Sequence, residues 1–236
     1  MVSQLAKRID TKETGDRKAI RGWQLVVSGT ALAAALTAIL VLSGLDWAYF
    51  VMIQNLSLFG PLMVADLFGY GFPVLIMAGL FGAALRVPGA GYGVAGLAVL
   101  MSTALALGVS MALKAVAGRA SPPHHDFGAA LAKADISAVF NFGWMNESVL
   151  GGWPSSHATV AFAVAVTLVF AVPFARGLHV IALTLAAFIG IGVTFGFHWL
   201  SEFLSGALIG AAIGAWVGGS VAERVRRAER PGGDAG

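Results

Sequence analysis

Three short stretches hold most of the side chains able to do chemistry. Lys114-Ala-Val-Ala-Gly-Arg119-Ala-Ser121-Pro122, Trp153-Pro154-Ser155-Ser156-His157 and His198-Trp-Leu-Ser-Glu202 occur in that order, with apolar segments between them. Each has an ordinary reading when taken alone. Lys114 can end a membrane span with its stem in the apolar layer, Pro-Ser-Ser is a common helix start, and a histidine beside Trp199 can anchor a chain at a membrane interface. The combination is more specific. Glu202 follows His198 by four residues, a second imidazole lies in His157, and Ser155 and Ser156 directly precede an apolar run. Their backbone N–H groups then lie at a helix N-terminus, which attracts anions. Together with the cations Lys114 and Arg119, these residue types suit the handling of phosphate.

The elements that must carry them are membrane spans. Of 236 residues, 58% are hydrophobic and 11% charged, against about 25% charged in an ordinary soluble domain, so the solvent for most of the surface must be lipid. Uncharged runs long enough to cross a hydrocarbon core of ~30 Å cover Trp23 to Leu45, Leu67 to Leu85, Val87 to Leu113, Ala158 to Ala175, Leu178 to Phe197 and Phe203 to Ala222. The expected fold is an all-α polytopic bundle of six transmembrane helices, residues 23–222, between basic tails at 1–22 and 223–236. Trp47 to Ala65 is apolar too but contains Gln54, Asn55, Ser57 and Gly60-Pro61, and it reads as an interfacial helix and loop. Glycines 206, 210 and 214 recur every four residues on the last span and predict close helix packing. With no cysteine, disulfides, thiolate metal sites and a cysteine nucleophile are excluded.

Six spans put both tails on one side. That side collects Lys7, Arg8, Lys12, Arg17, Lys18, Arg21, Arg86, Arg176, Arg224, Arg226, Arg227 and Arg230, whereas Lys114, Arg119 and Lys133 lie opposite. The positive-inside rule makes the majority side cytosolic. His157, His198 and Glu202 fall on the minority side with Lys114 and Arg119, and ionisable groups at a membrane edge are read as functional by default. His179, beside Arg176, is on the other side and is assigned no catalysis. His124, His125 and Asp126 form only a weak metal signal in a Pro-rich loop. The loop from Pro122 to Trp153, with Asp135, Phe140, Asn141, Phe142, Trp144, Asn146 and Glu147, is placed to cover the site.

In order and spacing the three stretches resemble the type 2 phosphatidic acid phosphatase superfamily, the integral-membrane lipid-phosphate phosphatases related to vanadium haloperoxidases. The resemblance runs from about Leu67 to Gly218 and includes the six-span layout. Lys114 and Pro122 match the first motif, with Ser121 in place of its arginine and Arg119 two residues early. Pro154, Ser155 and His157 match the second, with Ser156 in place of glycine. In the third, His198 matches, Glu202 replaces aspartate, and Ile191-Gly192 replaces Ser-Arg. The resemblance implies that His198 attacks phosphorus, Glu202 holds its far ring nitrogen and His157 protonates the leaving alkoxide. Lys114 would bind the phosphate. The helix N-terminus at Ser155 and Ser156 adds N–H donors for it, and Arg119 either swings into the place left at Ser121, the favoured reading, or contacts lipid headgroups at the membrane edge.

The implied activity is metal-independent, cofactor-free hydrolysis of a lipid phosphate or diphosphate in a bacterial inner membrane, with the site facing the periplasm or exterior. The bilayer and the lipid-phosphate substrate are the expected partners; neither nucleic acid nor an obligate protein partner is. Loss of two motif arginines keeps a second class open, a relative that binds or presents a lipid phosphate without turnover. A transporter is disfavoured because no charged relay crosses the midplane.

Overall fold

The computed structural model describes the backbone of residues 2–54, 59–88, 91–123, 135–145 and 152–228, and the side chains of 21–53, 64–88, 91–123, 135–145 and 152–224. In chain order the helices are α1 (Val2–Leu42), α2 (Leu45–Gln54), α3 (Phe59–Arg86) and α4 (Tyr92–Val116). Then come strands β1 (Ala117–Arg119) and β2 (Phe140–Phe142), followed by α5 (Ser156–Ala171), α6 (Arg176–Gly192), a 3-10 turn (Val193–Phe195) and α7 (Leu200–Ala228). His124, His125, Asp126, Lys133, Asn146, Glu147, Asn55 and Ser57 lie outside the described residues.

Among the described residues, five segments are long and apolar enough to cross a membrane: Arg21–Leu42, Val64–Arg86, Tyr92–Val116, Arg176–Phe195 and Leu200–Arg224. The sixth expected span, α5, is apolar but only 16 residues long. At 1.5 Å per residue it covers roughly 24 Å. It stops at Val172, because Pro173 cannot donate the next helical hydrogen bond, and not at Ala175 as the charge pattern suggested. The third span likewise begins at Tyr92, after a left-handed Gly91 (φ 75°), and not at Val87. Gly60 and Pro61 fall in the first turn of α3, where proline's missing N–H would be unpaired in any case, so they open a helix where a loop was expected. The two-stranded ribbon, pairing Ala117 with Phe142 and Arg119 with Phe140, had no sequence expectation.

The bundle is built around α5. Every described position of that helix is at least partly covered except Phe170, whereas Leu32, Ile39, Leu67, Leu75, Leu97, Met101, Val180 and Ile181 on other helices are exposed. An outward-facing apolar surface of that kind belongs in lipid. The most extensive interface joins α5 to α7. A Cβ added at Gly206, Gly210, Gly214 or Gly218 would lie 2.6, 2.2, 2.5 or 2.8 Å from the carbonyl oxygen of Ser155, Thr159, Ala163 or Thr167, respectively. Each step of four on α7 thus matches a step of four on α5, and the two helices run parallel with backbones in contact, as small residues permit. Parallel packing brings the N-terminal ends of both helices together, and the chemistry-bearing stretches sit at those ends.

Polar ties inside the bundle fix α1 to the same end. Trp153 donates to Thr37 (2.8 Å), Thr37 and Ser205 share a hydrogen bond (2.7 Å), and Ser205 donates to the Ala33 carbonyl (3.1 Å). Beyond α1 the chain turns at Gly44 (φ 72°), a backbone state glycine adopts without a Cβ penalty, and α2 folds back against α7.

Candidate active site

His198 follows the 3-10 turn, its N–H bound to the Val193 carbonyl at 3.0 Å, and Glu202 lies in the first turn of α7. The four-residue separation brings His198 Nδ1 within 2.7 Å of Glu202 Oε2, with the histidine side chain 5% and the glutamate 0% exposed. With a carboxylate accepting at Nδ1, the proton sits there and Nε2 keeps its lone pair. Glu202's backbone carbonyl accepts from the Ser155 N–H at 3.1 Å, tying the second stretch to the third.

His157, in the first turn of α5, has its ring centroid 6.3 Å from that of His198, at 62° between planes. Its Nε2 lies 3.3 Å from Asp66 Oδ1 of α3, and neither ring nitrogen makes a hydrogen bond among the described residues. The ring packs edge-on to Tyr70 at 4.9 Å and lies over Gly69, where a Cβ would come within 2.4 Å of His157 Cδ2. Lys114, near the end of α4, is buried and close enough to Glu202 and His157 to act on both electrostatically.

Ser155 is placed otherwise than as an open anion donor. Ser155 is fully buried and is the N-cap of α5, its Oγ accepting from the Ala158 N–H at 3.4 Å, while its own N–H is the one bound to Glu202. Ser156 Oγ accepts from Ser110 at 3.1 Å. Both therefore have protein partners, and Ser155 has the helix-start role that its sequence context also allows.

Arg119 departs furthest from expectation. Its guanidinium is buried and all three of its nitrogens are engaged by protein. Nε donates to the Ser137 carbonyl (2.9 Å), Nη1 to Ser201 Oγ (2.8 Å), and Nη2 to Asp46 Oδ2 (2.8 Å) and to the Ser137 carbonyl. Phe140 and Trp199 lie 4.8 and 5.4 Å from its centre. The guanidinium stands beside Glu202, Nη1 lying 3.5 Å from Oε1, with its donors taken by Asp46, Ser137 and Ser201. Gly152 (φ 85°) allows this approach, since a Cβ there would meet the Arg119 backbone nitrogen at 3.2 Å.

Sequence reasoning passed over Asp46, Asp66, Ser137 and Ser201. Asp46 carried a usable signal: it is a single carboxylate between Leu45 and Trp47 in an otherwise apolar run, and such a residue is expected to have a buried partner. Asp66 directly precedes the uncharged run that starts at Leu67, a place where a carboxylate needs no partner. Ser137 contributes its carbonyl, which no side-chain pattern reveals. At the far end of the bundle, His179 is hydrogen-bonded to the Val172 carbonyl (2.8 Å). Among the described residues no three His, Asp or Glu side chains are grouped to hold a metal ion.

An apolar-faced helix bundle with imidazole, carboxylate and ammonium groups gathered at one end is an integral membrane protein. Residues 95–226, more than half of the chain, match the family model of the PAP2 superfamily, and the chain belongs to that superfamily. Its fold is similar to the crystal structure of the first transmembrane PAP2 type phosphatidylglycerolphosphate phosphatase from Bacillus subtilis. The TM-score is 0.54 at 19% identity, over 87% of this chain and 98% of that one. No curated protein sequence matches significantly.

Proposed function

We propose that the protein is a membrane-embedded phosphatase that hydrolyses a lipid phosphate or diphosphate through His198, without a metal. The observation that carries this reading is the buried His198–Glu202 pair with a second imidazole 6.3 Å away. Simple binding of an anion requires no carboxylate-oriented nucleophile. His198 Nε2 attacks phosphorus, the bond from phosphorus to the ester or bridging oxygen breaks, and protonated His157 gives its proton to the departing oxygen. Water then attacks the phosphohistidine, His157 takes the water's proton, the P–N bond breaks, and inorganic phosphate leaves with His198 restored. Glu202 keeps the proton of His198 on Nδ1 throughout, and Lys114 supplies positive charge.

Family membership and the fold shared with a phosphatidylglycerolphosphate phosphatase support hydrolysis of a phosphorylated amphiphile. Candidate substrates are a phosphatidic acid, a phosphatidylglycerol phosphate, a prenyl diphosphate and a phosphorylated glycolipid. The other reading, a relative that binds lipid phosphate without turnover, is favoured by one observation: Ser121 and Gly192 stand at the motif arginine positions and Arg119 is engaged elsewhere.

Phosphate release by detergent-purified protein, measured over that panel with EDTA present, decides between them. Release that disappears in His198→Ala is the expected result. An inert parent protein that still retains lipid phosphate in a vesicle-binding assay would select the binding reading.

A further inference from the structure

We propose that Asp46 is a positioning residue for the nucleophile. It lies in α2, outside the family-matched segment 95–226, and acts by holding Arg119 off Glu202. Four parts of the chain converge on this buried cluster: Asp46 from α2, Arg119 from β1, Ser201 and Glu202 from α7, and the carbonyl of Ser137 ahead of β2. Asp46, Ser201 and Glu202 are wholly buried, and Arg119 nearly so.

Asp46 has both oxygens occupied. Oδ2 accepts from Arg119 Nη2 and from Ser201 Oγ, and Oδ1 accepts from the Ser201 N–H at 2.8 Å. The guanidinium is thus divided unequally between two carboxylates, at 2.8 Å from Asp46 but 3.5 Å from Glu202 Oε1. That inequality bears on His198. A buried guanidinium with Glu202 as its only counter-ion would close the longer gap and form a forked pair with both oxygens, as arginine and carboxylate do when unconstrained. Oε2 would then be drawn from His198 Nδ1, and the imidazole would lose its orienting partner. Asp46 prevents this by holding the guanidinium at the shorter distance.

The arrangement also accounts for α2 itself. Trp47 and Phe50 pack against Trp199 at 6.4 and 5.3 Å between rings, and Tyr49 hydrogen-bonds Thr194 at 2.8 Å, so the helix is fixed to the segment that bears His198 from both sides.

The kinetic part of the test rests on the phosphatase reading; the spectroscopic part does not. Full-length protein labelled with 15N-histidine should show a strongly downfield proton for His198 Nδ1–H, assigned by its loss in His198→Gln. Asp46→Asn, which keeps the shape and removes the charge, should move that proton upfield. It should also lower kcat by ~10- to 100-fold, the usual effect of removing an outer-shell partner, with KM changed much less. Ser201→Ala, which removes the hydroxyl shared by Asp46 and Arg119, should shift the resonance in the same direction, and it decides the matter if Asp46→Asn does not fold. The proposal is overturned by a parent protein without the downfield proton, or by a proton unmoved in the folded variants. A raised KM with kcat intact overturns it as well, since Arg119 would then contact substrate. If the parent protein releases no phosphate, the phosphatase reading falls and the resonance still tests the positioning.

Discussion

His198 gives one nitrogen to Glu202 and retains the other, so substitutions at the two residues should read differently. His198→Ala removes the proposed nucleophile and should bring phosphate release to background with the folded yield unchanged. Glu202→Gln leaves a neutral side chain of the same size and should lower kcat by ~10²-fold, because the imidazole keeps a neighbour but loses its charge-stabilising acceptor. Full activity in His198→Ala would show that the chemistry lies elsewhere. Arg119→Ala should be damaging for a reason other than a lost phosphate contact: it strands Asp46 in a buried site, a change that typically costs about 3–5 kcal/mol. His179→Ala removes one bond to the Val172 carbonyl at the opposite end and should cost about 1 kcal/mol. Thermal midpoints in detergent, measured beside phosphate release, should therefore separate Arg119→Ala from His179→Ala in both readouts.

The α5–α7 pair is the element on which the site depends, since its parallel backbones bring Ser155 against Glu202 and His157 towards His198. A methyl group at Gly210 would lie 2.2 Å from the Thr159 carbonyl, which is backbone and cannot rotate away. Gly210→Ala should push the helices apart, cost about 1–3 kcal/mol and lower phosphate release through displacement of the two imidazoles. Gly219→Ala, on the same helix with nothing within 4 Å of the added carbon, should be neutral or slightly stabilising, because alanine favours helix. Equal midpoints for the two variants would mean that the glycine stripe does not set the distance between these helices.

For the whole molecule the open property is orientation, and the charge asymmetry predicts it. By the six-span reading twelve of fifteen Lys and Arg residues share the side of the two tails, so the end carrying His157 and His198 should face the periplasm or exterior. The absence of cysteine makes the experiment clean. In intact cells a membrane-impermeant maleimide should label Lys133→Cys and should leave Arg227→Cys unlabelled until the membrane is opened. The reverse pattern would turn the protein over and place the site in the cytosol. Asp66 and the exposed Tyr70 of α3 flank His157 at that end.

The sequence by itself determined the solvent and the approximate place of the apolar helices, and it marked the three stretches whose residue types suit phosphate chemistry. These follow from composition, from lengths of uncharged chain and from spacing along one helix, as with His198 and Glu202. The Gly206–Gly210–Gly214 stripe was legible for the same reason, since a four-residue repeat is a property of a single helix. What Arg119 faces was decided only by the tertiary structure. The spacing from Lys114 allowed it to reach the place left at Ser121, but Asp46, more than 70 residues earlier and carried by a helix that looked merely interfacial, claims its charge. The same holds for Asp66 beside His157 and for the Ser137 carbonyl, and for the early end of α5. A buried cation is satisfied by whichever carboxylates the packed helices bring within about 3 Å, and that proximity is set by folding across the bundle, where order along the chain carries no distance.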